Sequence, residues 1–84
     1  MTRKEFIKKR KYLFWYIKNP ENVSDESLVE AVLNYGDWKD VKEIIKILGI
    51  KKIAGIFTSE ANKTRSNYRP EVKNYFKHYF ARYA

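Results

Sequence analysis

The chain has 84 residues, a formal net charge of +8, 44% apolar and 17% aromatic residues, and no cysteine. That length points to one domain, near the size at which a single core only just suffices, and the lack of cysteine excludes a disulfide framework and a thiolate metal site, which suits a reducing cytoplasm. The longest apolar run, Tyr12 to Ile17, has six residues, against the roughly 20 of a membrane-spanning helix, and the basic opening runs into more charge instead of a cleavable signal.

Thr2 followed by Glu5 fits a capping box, so a first helix is expected from about Arg3 with Phe6 and Ile7 on its apolar side. Tyr12 to Ile17 is apolar on every side. The reading favoured here is helix through about Phe14 and then irregular chain, although an extended segment fits the same residues. Asn19-Pro20-Glu21-Asn22 reads as a turn. Ser24 or Asp25 then caps a second helix, whose first turn holds Asp25 and Glu26 against the positive end of the dipole, and Gly36 is expected to end it in a left-handed conformation. Asp37 caps a third helix in which Val41, Ile44, Ile45 and Leu48 form one stripe, and Gly49 closes it. Ile50, Ile53 and Phe57 share a face of a short fourth helix. Thr58 to Arg69 reads as a helix end and an exposed loop. Pro70 suits the first position of a last helix, where Val72, Tyr75, Phe76, Tyr79, Phe80 and Tyr83 recur with helical period. The expectation is an all-α single domain, 1–84, of four to five short helices, with Leu13, Phe14, Trp15, Leu28, Val32, Ile44, Ile45, Leu48, Ile53, Phe57, Phe76 and Phe80 in its core.

Charge is unevenly placed: residues 1–18 carry +6, residues 19–48 carry −4 and residues 49–84 carry +6. Two basic ends around an acidic middle favour a polyanionic or acidic partner at one surface. The helix, turn at Gly49-Ile50 and helix order admits a helix-turn-helix in which Lys51, Lys52, Lys63, Arg65 and Arg69 meet phosphates, but no Arg, Asn or Gln inside that second helix is placed to read a base, and an ordinary helical hairpin explains the same pattern. Arg65, Asn67 and Arg69 around Tyr68 suit a phosphate grip on a loop, or a loop whose Tyr68 packs inward. Lys8, Lys9, Arg10 and Lys11 suit a nucleic-acid contact or a solvated helix face. The aromatic ladder reads as core, or as a partner-binding stripe through Tyr75, Tyr79 and Tyr83. His78 alone makes no metal site, no cofactor loop is present, and no nucleophile, base and acid fall in a recognisable arrangement, so no catalytic residue is assigned and the chain reads as a non-enzyme.

Tyr12-Leu13-Phe14-Trp15, the segment Val32-Leu33-Asn34-Tyr35-Gly36-Asp37 with the helix that follows it to Leu48-Gly49, and the end from Tyr68 to Phe80 together resemble a family of small uncharacterised prokaryotic proteins. In that family an LFW segment precedes a helix ending in a VL-x-x-G-like turn and a further helix closing in glycine. Its members are similar to proteins encoded beside nucleotidyltransferase-type toxins of the abortive-infection kind. The resemblance implies an antitoxin-like or accessory partner of a toxin, with DNA-binding autoregulation on double-stranded DNA, and it carries no catalytic residue. The chain departs from the family in Tyr16, where many members have an acid, and in being more basic. The alternative expectation is a structural module that forms a homodimer or docks through its carboxy-terminal aromatic helix.

Overall fold

A computed structural model describes residues 2–15, 17–63 and 68–84, with the Glu21 side chain left aside. Five α-helices run in the order α1 Arg3–Lys9, α2 Asp25–Tyr35, α3 Trp38–Leu48, α4 Ile50–Ala61 and α5 Pro70–Tyr83, with 3₁₀ turns at Lys11–Leu13 and Pro20–Asn22 and no strand among the described residues. The all-α bundle expected from the sequence is therefore the fold.

Local chemistry sets most helix starts. The Thr2 hydroxyl accepts the Glu5 amide at 3.2 Å and the Ser24 hydroxyl accepts the Ser27 amide at 3.1 Å. Asp37 and Asp40 close a reciprocal capping box at the start of α3, and Pro70 stands in the first turn of α5, where its missing N–H leaves no bond unmade. Gly49 alone separates α3 from α4, and its φ of 90° is open to glycine at little cost, so the two helices turn sharply into each other.

Gly36 departs from expectation. Its φ is −78°, not left-handed. Glycine is needed there for room: a Cβ would sit 2.7 Å from the Val32 carbonyl oxygen and 3.0 Å from Asp40 Cβ. Gly55 is the opposite case, exposed in mid-helix with nothing within 4 Å of an added Cβ. Gly55→Ala is expected to stabilise the fold by about 0.5–1 kcal/mol, read as a higher urea midpoint at unchanged slope.

α2 is the central element. Leu28, Val29, Ala31, Val32 and Leu33 are all buried on it, and it packs on α4, α3 and the Lys11–Leu13 turn. Phe6 and Ile7 of α1, Ile44 of α3, Ile53 and Phe57 of α4, and Phe76 and Phe80 of α5 complete one apolar core. α5 leans chiefly on α4 and is the most peripheral helix.

Two further expectations are corrected. α1 stops at Lys9 and the chain bends at Arg10 before the 3₁₀ turn, so helix does not run on to Phe14. The bend lets Leu13 and Phe14 reach the core while Tyr12 and Trp15 turn outward, which one straight helix, apolar on all sides at the edge of the bundle, would not allow. Trp15 is thus 76% exposed instead of buried, and Ile45 and Leu48 are half-buried at the core's margin. α4 ends at Ala61, within the segment from Thr58 that was expected to hold a helix end. The Tyr16 position lies outside the described residues.

Candidate functional site

Of the ten basic and amide side chains expected to meet nucleic acid, the eight that lie in the described residues do not share one face. Asp25, at the start of α2, accepts Arg3 Nε at 2.9 Å and Lys52 Nζ at 3.0 Å, so the amino ends of α1, α2 and α4 meet at one corner. Lys52 foremost, then Arg3, hold the Asp25 carboxyl below its usual range against the opposing effect of its burial. Lys51 stands exposed beside them. Arg3 also donates to the Val23 carbonyl, which lays the segment after the Pro20–Asn22 turn along α1.

That return of the chain builds a cleft. Ile7, Lys8, Lys11, Lys18, Asn19, Pro20 and Asn22 line a space of about 240 Å³. Lys8 and Lys11 arrive from α1 and the first 3₁₀ turn, and Lys18 arrives on the segment that leads into the Pro20–Asn22 turn. No carboxylate is among the described residues that line it, and among the described residues none of the three lysines has an ion-pair partner. Three ammonium groups, two side-chain amides and a narrow concavity suit an anion with several acceptor oxygens, such as a phosphodiester. Lys18 is a site residue that the sequence reading missed. It sits alone in sequence, and only the bent path of the chain after α1 brings it to Lys8 and Lys11.

The other predicted positions divide. Lys9 is exposed on α1, away from the cleft lining. Arg10 is corrected: its side chain is 11% exposed, its Nε donates to Asp40 Oδ1 at 2.7 Å, and its guanidinium lies 4.4 Å from the Phe6 ring centre, so it is a core tie and not an anion contact. Lys63, at the far end of α4, pairs with Glu60 at 3.0 Å. α4 is about 18 Å long at 1.5 Å per residue, which separates Lys63 from Lys51 and Lys52 by the height of the bundle. Arg69 sits over the Tyr35 ring at 4.9 Å while its amide donates to Asn34 Oδ1. Arg65 and Asn67 lie outside the described residues. Tyr68 packs inward against Phe57, and burial pushes its phenol pKa up.

Asp40 is the buried polar centre that joins α1 to α3. Oδ1 accepts from Arg10 and Tyr12, and Oδ2 accepts the Asp37 amide at 3.1 Å and the Tyr12 hydroxyl at 2.8 Å. Burial alone would raise its pKa, but the bonds from Arg10, Tyr12 and the Asp37 amide outweigh that and leave it lowered.

The aromatic ladder of α5 splits. Phe76 and Phe80 face the core, Tyr79 is half-buried against Trp38 at 5.4 Å, and Tyr75 and Tyr83 are 53% and 57% exposed. Tyr75, Tyr79 and Tyr83, the positions expected from the sequence to bind a partner, therefore line an uncovered face together with Glu71, His78 and Arg82.

Among the described residues no three of His, Cys, Asp and Glu form a group that could hold a metal, and no helix is long and apolar enough to cross a membrane. No protein-family model matches the chain, and neither a curated protein nor a solved structure matches it.

Proposed function

We propose that this chain is a non-enzymatic binding protein, an antitoxin-like or accessory partner of a toxin, that contacts the backbone of double-stranded DNA through the lysine cleft. The cleft carries the reading: Lys8, Lys11 and Lys18 converge without an acid among its described lining residues. Among the described residues its three lysines enter no ion pair, whereas Arg10, Lys52 and Lys63 are committed to Asp40, Asp25 and Glu60. The net charge of +8 adds a long-range attraction for polyanions. The toxin-linked part of the reading rests on the family resemblance and not on the geometry.

Phosphate contacts position a protein on a duplex without reading sequence, and α4 presents only Lys51, Lys52, Gly55, Thr58 and Ser59 outward from its helical span. Weak sequence preference and strong salt dependence are therefore expected. Replacing Lys8, Lys11 and Lys18 together by Gln should weaken duplex binding about equally on unrelated sequences and lower the slope of log affinity against log salt by about 3, near 0.9 per lost phosphate contact. Fluorescence anisotropy over a salt series measures both. An unchanged slope would sink the cleft as the DNA contact.

A further inference from the structure

α5 is held to the bundle mainly through α4, and its opposite face is uncovered. On that face Glu71, Tyr75, His78 and Arg82 follow one another at spacings of four, three and four. This is the alternation with which one helix presents a seam to another. All four are exposed. Tyr79 and Tyr83 flank the seam, with Trp38 of α3 against Tyr79. The face carries an acid at one end, a base at the other and aromatic surface between.

We infer that this face is self-complementary and docks a second copy of the chain, with the two α5 helices antiparallel and Glu71 of each copy against Arg82 of the other. Glu71 and Arg82 lie equally far from the level midway between Phe76 and Lys77, and so do Tyr75 and His78. A two-fold axis at that level therefore places both ion pairs at once and sets each Tyr75 ring opposite His78 of the second copy. A parallel pairing sets Glu71 against Glu71 and Arg82 against Arg82, which like-charge repulsion opposes. The charge distribution along α5 thus selects both the occupant and its direction. One helix of this length gives a contact below the size of an obligate interface, so the dimer forms and dissociates with concentration. None of these residues lines the lysine cleft, so the seam and the DNA contact stand or fall separately.

Charge reversal tests the pairing. Sedimentation equilibrium on the full chain, up to about 1 mM, where weak specific association is still visible, should show a monomer–dimer equilibrium. Arg82→Glu and Glu71→Arg each turn both ion pairs repulsive, and each variant alone should dimerise about tenfold or more weakly. Mixed together they restore opposite charges at both contacts, and the mixture should associate at least as well as the original chain. Tyr75→Ser, which leaves the helix ends untouched, should also weaken the dimer, and circular dichroism checks that every variant stays helical. A monomer throughout the range, reversal variants or Tyr75→Ser that dimerise unchanged, or a mixture no tighter than its components would each overturn the seam.

Discussion

Asp40→Ala is expected to lower the unfolding free energy by about 3–5 kcal/mol, the range for removing one partner of a buried ion pair. A domain of this size has about 5–10 kcal/mol in all, so the variant should lie near the edge of folding. Three effects act together. Arg10, its side chain 11% exposed, loses the carboxylate that balances it, the Tyr12 hydroxyl loses its acceptor, and the capping box at the start of α3 opens. Asp40→Asn keeps an oxygen for the cap and removes the charge, so its smaller loss isolates the ionic part. Adding Arg10→Met to Asp40→Ala should recover much of the deficit, because it removes the buried cation that has lost its carboxylate and fills its space with apolar atoms. Urea unfolding of the original chain, Asp40→Ala, Arg10→Met and the double variant gives the cycle. A loss under about 1 kcal/mol for Asp40→Ala would mean that the pair is solvated and contributes like a surface bridge.

The same carboxylate shapes the acid limb. Its pKa is lowered in the folded chain, despite burial, by the bonds from Arg10, Tyr12 and the Asp37 amide. A group depressed on folding contributes stability that is complete above its unfolded value, about 3.9, and that is lost as pH falls through the folded value. Asp25, lowered by Lys52 and Arg3, has the same sign. Stability should therefore hold at neutral pH and fall below about pH 4. Asp40→Ala should show the shallower decline there, since part of what acid removes is already gone.

What the sequence reveals here is what is local. Ser24, Asp37 and Pro70 declare helix starts because a cap acts within three residues, and Gly49 declares a break because its backbone angle excludes other residues. The Arg10–Asp40 tie spans thirty positions, so Asp40 read only as a first-turn acid and Arg10 only as one member of a basic run. Gly36 was legible as a stop but not for its reason, which is the close approach of the Val32 carbonyl and Asp40 and not a left-handed turn. In α5 the helical period groups Tyr75 and Tyr83 with Phe76 and Phe80, since a stripe wider than the core looks the same in sequence as a stripe that fits it. The division between them depends on where α4 ends and on how little else covers α5. The lysine cleft was half legible: Lys8 and Lys11 stand in an evident run, and Lys18 joins them only because the chain bends after α1.

Phe57→Ala should be the other severe change, costing about 3–5 kcal/mol. Phe57 is 3% exposed, and its ring meets Tyr68 at 5.1 Å, Phe80 at 5.4 Å and Phe76 at 6.3 Å. It is the side chain on which both α5 and the segment leading into it rest. Truncation leaves a cavity bordered by rings too large to collapse into it without moving their backbone, so the cost should fall in the upper part of the range. The loss should also be uneven. α2 keeps its contacts with α3 and the Lys11–Leu13 turn, whereas α5 loses the centre of its main interface. Amide hydrogen exchange in α5 should therefore speed up well before exchange in α2, as local opening separates from global unfolding. Tyr75→Ala, on the same helix but more than half exposed, should change monomer stability by less than about 0.5 kcal/mol, as surface substitutions do. If Phe57→Ala instead lowered protection equally in α2 and α5, α5 would be an inseparable part of the core rather than a helix docked onto it. The dimer seam would then lie on the rigid body of the fold and not on its most readily detached element.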